Sequence, residues 1–209
     1  AFSLTSIENI SIPSKVIEIG NNTFSNNKKL TKIEIPDNSE LISYGNNSVL
    51  FTSIETFCIP PKTRKIDEYS ISSLQKLKYI SIMQNNKHFI IFQNQFILGK
   101  SSIDNEYYDI LYLDFHDAKS VTLPDFITRI ASSTFVYRNR LKEIKFTAHS
   151  ALKIIDSYAF YYSGINYIKI PSHVIRLCSG TFSECKYLKK IDFTDDSQLQ
   201  IIEQSAFHG

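Results

Sequence analysis

The 209-residue chain has 43% hydrophobic and 21% charged residues, a composition typical of a folded protein and not of a disordered segment. Its 23 basic and 21 acidic side chains are interspersed and leave a net charge of +2, so no charge run marks a nucleic-acid arm or a membrane-binding tail. The longest apolar stretches, such as residues 88–92, are far shorter than the roughly 20 residues that a membrane-spanning helix needs.

An internal period of about 23 residues organises the sequence. Apolar residues follow Pro13 after 3, 6, 11, 17, 20 and 22 positions, and the same spacing recurs after Pro60, Pro124 and Pro171, with Thr63 as the one exception. Two variant repeats lie between these copies. The repeat boundaries fall at positions 13, 36, 60 and 83, and again at 124, 147, 171 and 194.

Each repeat ends in two apolar residues separated by one other residue, the alternation of a short strand with one buried face. Proline often follows and ends the strand. Stacked repeats would place these strands side by side as a parallel ladder. The predicted inward pairs are Ile10/Ile12, Ile33/Ile35, Phe57/Ile59, Ile80/Ile82, Val121/Leu123, Ile144/Phe146, Ile168/Ile170 and Ile191/Phe193.

The return segment of most repeats carries a small residue followed by phenylalanine at a fixed position. We interpret these rings as a stacked column in the core and not as ligand-binding groups. One repeat buries too few side chains to fold alone, so stability must come from stacking on its neighbours. The pairs are Thr23-Phe24, Thr134-Phe135, Ala159-Phe160, Thr181-Phe182 and Ala206-Phe207.

The repeat pattern is interrupted between Ile82 and Val121. Residues 84–119 contain three short apolar runs separated by polar, turn-forming stretches, which predicts a β-hairpin or a three-stranded elaboration. Long insertions often carry function. The segment is therefore either a longer, decorated repeat or a specialised ligand loop.

Together these elements predict a solenoid, a right-handed superhelix of repeats of about 23 residues. A parallel β-sheet would form one face, and short strands, turns or 3-10 segments the other. We expect a single domain over residues 1–209, with regular repeats at 7–83 and 120–209 and an irregular β-rich inserted repeat at 84–119.

Residues 155–160, 165–171 and 188–193 combine the Leu/Ile strand positions with an Ala-Phe pair. They resemble the BspA-like, or treponemal-type, class of leucine-rich repeats, and the resemblance covers nearly the whole chain outside residues 84–119. It implies a leucine-rich-repeat solenoid in a secreted or surface protein of a bacterium or parasitic protist, with a role in adhesion. Val49 and Ile71 depart from the family pattern, since they stand where the aromatic residue is expected.

The sequence contains no combination of residues suited to catalysis. Its five histidines form no zinc-binding pair, and its six glycines form neither a phosphate-binding loop nor a nucleophile elbow. We therefore predict a non-enzymatic protein with no catalytic residue, cofactor or metal. A bridge from Cys178 to Cys185 and free thiols both fit the spacing, and Cys58 is expected to be an exposed, neutral thiol.

Alternation along the strands also predicts which side chains leave the open face of the ladder. Adjacent strands lie about 4.8 Å apart, so Lys145 and Lys169 should be neighbours of like charge. This mixed-charge face with its tyrosines is either a protein-binding surface or a row of solvated strand residues. The candidate residues are Tyr79, Ser81, Glu143, Lys145, Tyr167, Lys169, Lys190 and Asp192.

We expect a cell-surface or secreted recognition protein that binds other macromolecules, with host extracellular-matrix or cell-surface proteins as partners and no nucleic acid. The alternatives are an intracellular protein-interaction scaffold and a structural spacer. Triplets at Asn9, Asn21 and Asn46 would accept N-glycans in a secretory pathway. Because the sequence stops within a repeat at Gly209, we expect a fragment of a longer array or end-to-end self-association.

Overall fold

The computed structural model describes residues 1–67, 69–71, 74 and 76–209. The chain divides into two compact units, unit 1 (Ala1–Ile91) and unit 2 (Phe92–Gly209). The described residues form short strands joined by turns, and none of them is helical. It follows that none forms a helix that could cross a membrane.

In unit 1, each turn of the chain contributes one strand of three or four residues and one strand of two residues. The strands are β1 (Asn9–Ser11), β2 (Glu18–Ile19), β3 (Lys32–Glu34), β4 (Ser43–Tyr44), β5 (Thr56–Ile59), β6 (Lys65–Ile66) and β7 (Tyr79–Ile82), and β8 (Phe89–Phe92) contains the unit boundary. The longer strands pair in parallel as β1 with β3 and β5 with β7, while β2, β4 and β6 form a second parallel sheet.

Unit 2 repeats this plan over more turns. Its strands are β9 (Phe96–Gly99), β10 (Ile110–Asp114), β11 (Ser120–Thr122), β12 (Arg129–Ile130), β13 (Glu143–Lys145), β14 (Ile154–Ile155), β15 (Tyr167–Ile170), β16 (Arg176–Leu177), β17 (Lys190–Phe193) and β18 (Ile201–Ile202). The strands β11, β13, β15 and β17 form a four-stranded parallel sheet. The strands β10, β12, β14, β16 and β18 form a second parallel sheet on the other side of each turn.

Within each unit, the fold is therefore a solenoid of repeats about 23 residues long, as predicted. Parallel pairing joins residues one repeat apart, for example Ile10 with Ile33 and Ile168 with Ile191. The opposite side of each turn carries two-residue strands and turns, and no 3-10 segment occurs among the described residues. The expectation of a single domain over residues 1–209 stays a prediction.

The threonine that precedes three of the phenylalanines has a structural reason that the sequence did not reveal. The hydroxyls of Thr23, Thr134 and Thr181 each donate a hydrogen bond to the carbonyl three residues earlier, over 2.7, 2.7 and 2.6 Å. Each of these carbonyls also accepts a hydrogen bond from the backbone N–H of the same threonine at 3.3 or 3.4 Å, so the hydroxyl adds a second, shorter bond within the tight turn. The small side chain thus closes the turn from which the phenylalanine enters the core.

The phenylalanines form a stacked column through unit 2. The ring centroids of Phe135 and Phe160 are 5.0 Å apart, those of Phe160 and Phe182 5.1 Å, and those of Phe182 and Phe207 5.6 Å. The rings are nearly parallel, with interplanar angles of 8°, 9° and 3°. Phe135, Phe160 and Phe182 are at most 2% exposed, which confirms that they are core residues. Phe207 at the end of the column is 42% exposed, so the prediction of a buried ring there was wrong.

Most predicted inward residues are buried, but those at the last turn are not. Ile144, Ile168 and Ile170 are at most 3% exposed, whereas Phe193 on β17 is 41% exposed. The prediction of a buried Phe193 was wrong because β17 is an edge strand, with no strand beyond it to cover the ring. Several inward residues of unit 1, including Ile33 and Ile80, are also only half-buried.

The interrupted segment contains the predicted hairpin. Strands β9 and β10 pair antiparallel, with Ile110 opposite Gly99 and Leu111 opposite Leu98. The loop between them is closed by Asp109, whose carboxylate accepts hydrogen bonds from the backbone N–H of Ser101 (2.9 Å) and the hydroxyl of Thr128 (2.7 Å). Thr128 belongs to the next repeat, so the hairpin is fixed to the regular part of unit 2.

Replacing Phe160 by alanine should destabilise the protein by about 3–5 kcal/mol, because the change leaves a cavity between two stacked rings. Equilibrium unfolding in denaturant measures the difference. The matched control is Phe207→Ala at the end of the same column, where the ring is 42% exposed and the loss should be smaller. If both variants lost the same free energy of unfolding, stacking on both sides of a ring would not be what stabilises the column.

Candidate recognition surface on the four-stranded sheet

The four-stranded sheet of unit 2 presents two columns of outward side chains, which we call the sheet face. The pairing register sets Ser120, Glu143, Tyr167 and Lys190 side by side in one column, and Thr122 beside Lys145 and Lys169 beside Asp192 in the other. These residues are half-buried or exposed, while the residues between them along each strand point into the core. The eight members are Ser120, Thr122, Glu143, Lys145, Tyr167, Lys169, Lys190 and Asp192.

Six of the eight candidate residues lie on this one surface: Glu143, Lys145, Tyr167, Lys169, Lys190 and Asp192. The other two, Tyr79 and Ser81, lie on β7 in unit 1, where they pair with Thr56 and Cys58 of β5. Tyr79 is 71% exposed, so it is available for contact within its own unit. The structure therefore groups the candidates into a larger set in unit 2 and a pair in unit 1.

The last two strands of the sheet face are joined by a side-chain network. The carboxylate of Asp192 accepts a hydrogen bond from the hydroxyl of Tyr167 at 3.2 Å and forms an ion pair with the ammonium of Lys190 at 2.7 Å. The bond from Lys190 lowers the pKa of Asp192 and raises the pKa of Lys190. Burial of the ring and the bond to Asp192 raise the pKa of Tyr167, whose phenol stays protonated at neutral pH.

The two lysines of the second column differ in their partners. The ammonium of Lys145 lies 3.4 Å from the carboxylate of Glu143 on the same strand. Lys169 is exposed and makes no ion pair with any described residue, although its charge contributes to the low pKa of Asp192. Continuing the register of β13 and β15 places Lys145 opposite Lys169, as the sequence predicted. This leaves Lys169 as a cation that a partner could neutralise.

A groove runs along the sheet face where β13 and β15 end. It is open to solvent, has a volume of about 610 Å³, and is bordered by Lys145 and Lys169 on the strands and by Thr147, Ser172 and Asp196 on the following turns. Lysine ammoniums beside turn hydroxyls suit a partner that carries carboxylates or other hydrogen-bond acceptors. The turn residues of this groove were not among the candidates, because the spacing of the repeats predicts strands but not the shape of the loops.

The described residues contain no group of three or more His, Cys, Asp or Glu side chains that could hold a metal ion. Burial raises the pKa of each of the three thiols, which makes each a weaker nucleophile at neutral pH. The sheet face itself combines ion pairs, a phenol and an ammonium group.

All three cysteines are free thiols, which decides between the two alternatives left open for Cys178 and Cys185. The Cys185 thiol donates a hydrogen bond to the carbonyl of Phe160 at 2.9 Å, and the Cys178 thiol lies 3.9 Å from a carboxylate oxygen of Asp156. The expectation of an exposed Cys58 was wrong. Cys58 is half-buried because Ser81 on the neighbouring strand pairs with it and bonds to its sulfur.

A second surface feature was not predicted. Four tyrosines of unit 2 (Tyr137, Tyr158, Tyr161 and Tyr162) contact one another at the outer turns of two successive repeats, and we call them the tyrosine patch. The available signal was the Tyr-Ala-Phe-Tyr-Tyr sequence at 158–162, which surrounds the core phenylalanine at a fixed position. The period predicts only the residues that the repeats share, and these tyrosines are not among them.

The repeat geometry defines a leucine-rich-repeat protein. The family model described as BspA type leucine-rich repeat region matches the chain in six copies, over residues 1–110 and 110–209. The chain belongs to this family, which confirms the resemblance read from the sequence. No curated protein matches the chain significantly.

Solved structures share the fold at low sequence identity. A leucine-rich cell surface protein of Faecalibacterium prausnitzii is 18% identical with a TM-score of 0.59, over 90% of this chain and 60% of that one. A leucine-rich repeat protein of Eubacterium ventriosum is 20% identical with a TM-score of 0.71, over 90% and 54%. The pneumococcal vaccine antigen PcpA is 17% identical with a TM-score of 0.71, over 93% and 52%. The chain thus spans between half and two thirds of each of these structures.

Alkylation should find three free thiols. In the denatured chain without reductant, iodoacetamide should add to Cys58, Cys178 and Cys185, as measured by intact mass. In the native chain, Cys58 should react first, because Cys178 and Cys185 are 8% and 7% exposed. A mass lower by two hydrogens, with only one adduct, would reveal a bridge and contradict the structure.

Proposed function

We propose that this chain is the recognition part of a cell-surface or secreted protein, and that it binds protein partners through the sheet face without catalysing a reaction. Host extracellular-matrix or cell-surface proteins are the expected partners. The observation that carries the proposal is the fixed display of Tyr167, Lys145 and Lys169 beside an open groove, with Lys169 left without an ion-pair partner among the described residues.

The physical argument rests on preorganisation. The backbone of each outward residue is held by parallel pairing on one or both sides, so little conformational entropy is lost when a partner binds. A tyrosine flanked by charges of both signs is typical of protein-binding hot spots, since the ring supplies contact area and the charges supply specificity. The ion pairs on this face are exposed and contribute little to folding stability, which leaves their side chains free to exchange partners.

The family and its structural relatives support a surface location. The Faecalibacterium protein is described as a leucine-rich cell surface protein, and PcpA is described as a vaccine antigen. Both descriptions concern those proteins and extend to this chain as part of the proposal. The asparagines of the three glycosylation triplets, Asn9, Asn21 and Asn46, are all exposed, as attachment of a glycan requires.

An intracellular protein-interaction scaffold is the second candidate function. The three free thiols favour it, because cysteines stay reduced in the cytosol. A scaffold would use the same sheet face, so the two candidates differ in location and partner. Surface labelling of intact cells that make the native protein separates them: labelling supports the first candidate, and exclusively cytosolic protein supports the second.

Binding of the purified chain to fibronectin, fibrinogen and laminin tests the leading proposal. Replacing Lys145, Tyr167 and Lys169 together by alanine should weaken binding by at least about tenfold, since the change removes the ring and both ammoniums. Biolayer interferometry measures the affinity, and thermal unfolding verifies that the variant is folded. A variant with Tyr79 and Ser81 replaced by alanine tests the pair in unit 1 separately.

The matched control replaces two lysines and a tyrosine that are exposed elsewhere: Lys28, Lys153 and Tyr107. It should bind as the native chain does, because it loses the same side-chain types outside the sheet face. If the sheet-face variant binds with undiminished affinity, the sheet face is not the site. If the native chain binds no protein of the panel and none on host cells, the adhesion proposal fails.

A further inference from the structure

In the regular repeats whose turns lie wholly among the described residues, the backbone passes through the left-handed region at two positions, two residues before and two residues after the residue that enters the core. At the later position, φ is 60° at Leu4, 62° at Asn26, 55° at Phe51, 58° at Tyr137, 53° at Tyr162 and 57° at Glu184. At the earlier position, Tyr158 has φ 58° where the next repeat has Gly180 at 62°. Asparagine and glycine suit this conformation, whereas a bulky side chain is strained there.

Tyrosine occupies three such positions in two successive repeats. Since asparagine fills the same position at Asn26, the fold does not require a ring there, and tyrosine makes the turn less favourable. The later position also holds Leu4, Phe51 and Glu184, so the turn itself does not single out tyrosine. The tyrosines of the patch differ because their rings contact one another in one cluster. The phenylalanine column lies inside these turns and is complete without the tyrosines.

The rings of the tyrosine patch hold one another in place. Tyr161 and Tyr162 meet edge to face with ring centroids 4.7 Å apart, and Tyr137 lies 6.2 Å from the first and 5.7 Å from the second. The ring of Tyr158 lies against Tyr161 at 5.6 Å and covers Gly180, where an added Cβ would stand 2.5 Å from the ring. All four rings are half-buried, so the patch is a rigid platform with part of each ring exposed.

The patch is polar at its rim but carries little net charge. The hydroxyls of Tyr137, Tyr161 and Tyr162 have no hydrogen-bond partner among the described residues. Burial and the neighbouring phenols raise the pKa of Tyr161, so the group keeps its proton and can donate a hydrogen bond. The nearby ammonium of Lys186 lies 3.9 Å from the carboxylate of Glu184 and 5.7 Å from the Tyr162 ring centroid. The two charges offset each other.

We propose that the tyrosine patch binds a neutral oligosaccharide. Sugar rings present polarised C–H groups that are attracted to the electron-rich faces of aromatic rings, and their hydroxyls exchange hydrogen bonds with phenols. A tyrosine held by its neighbours also loses little entropy on binding. The ammonium of Lys186, which lies near the Tyr162 ring, is already paired with Glu184, and this disfavours an ionic partner.

Titration calorimetry of the full chain with maltohexaose, cellohexaose and chitohexaose tests this proposal. At least one of these sugars should bind saturably. The double substitution Tyr137→Asn with Tyr162→Asn should weaken that binding by at least about tenfold, because it removes two rings. The fold should keep its thermal stability, since asparagine suits both backbone positions. Tyr107→Ala, which removes a tyrosine that is 64% exposed outside the patch, should leave the affinity unchanged.

Tyr161→Phe provides a second variant if the double variant does not fold. It keeps the ring and removes one hydroxyl, so affinity should fall while stability is retained. Absence of binding for all three sugars overturns the proposal, as does undiminished binding in both patch variants. Loss of fibronectin binding in the double variant, with no sugar bound by the native chain, would assign the patch to a protein partner and also overturn it. The sheet-face variant should bind sugar normally, which separates this test from that of the proposed function.

Discussion

Hydrogen bonding from each repeat to the next is the interaction on which the rest of the structure depends. The strands contain two to five residues, and the turns between them also donate across repeats: the amides of Phe135, Phe160 and Phe182 bond to carbonyls of the following turn at 2.8, 2.9 and 2.7 Å. A single turn would leave these groups unpaired and its apolar residues uncovered. Stability in each unit therefore comes from contact between neighbours.

This dependence assigns different tasks to the two faces of each strand. Inward positions must match the repeat above and below, which explains the narrow choice of isoleucine, leucine and phenylalanine there. Outward side chains such as those of Tyr167 and Lys169 do not have to pack against the core of the neighbouring repeats. The residue type at these positions can therefore vary from repeat to repeat on a fixed backbone. The left-handed turn positions are an intermediate case, since the backbone favours small residues there and yet tolerates Tyr137 and Tyr162.

The sequence predicted whatever follows from periodicity. The strand register, which sets Glu143 beside Tyr167 and Tyr167 beside Lys190, could be predicted from the sequence because parallel strands one repeat apart align in only one way. Side-chain pairing does not follow from the period. The bond from Tyr167 to Asp192, and the absence of an ion pair at Lys169 among the described residues, therefore required coordinates. The tyrosine patch was not predicted because contact between Tyr137 and Tyr162 depends on the conformation of the turns. The exposure of Phe193 was not predicted because it depends on which strand lies at the edge of the sheet.

Amide hydrogen exchange of the 209-residue chain tests neighbour stacking most directly. Within unit 2, the account predicts the slowest exchange in β14 and β15, which have a parallel strand on both sides, and the fastest exchange among the strands in β18, which is paired on one side only. Protection should fall from the middle of the sheets towards β17 and β18. Equal protection in β15 and β18 would contradict the account, because each repeat would then be stable without its neighbours.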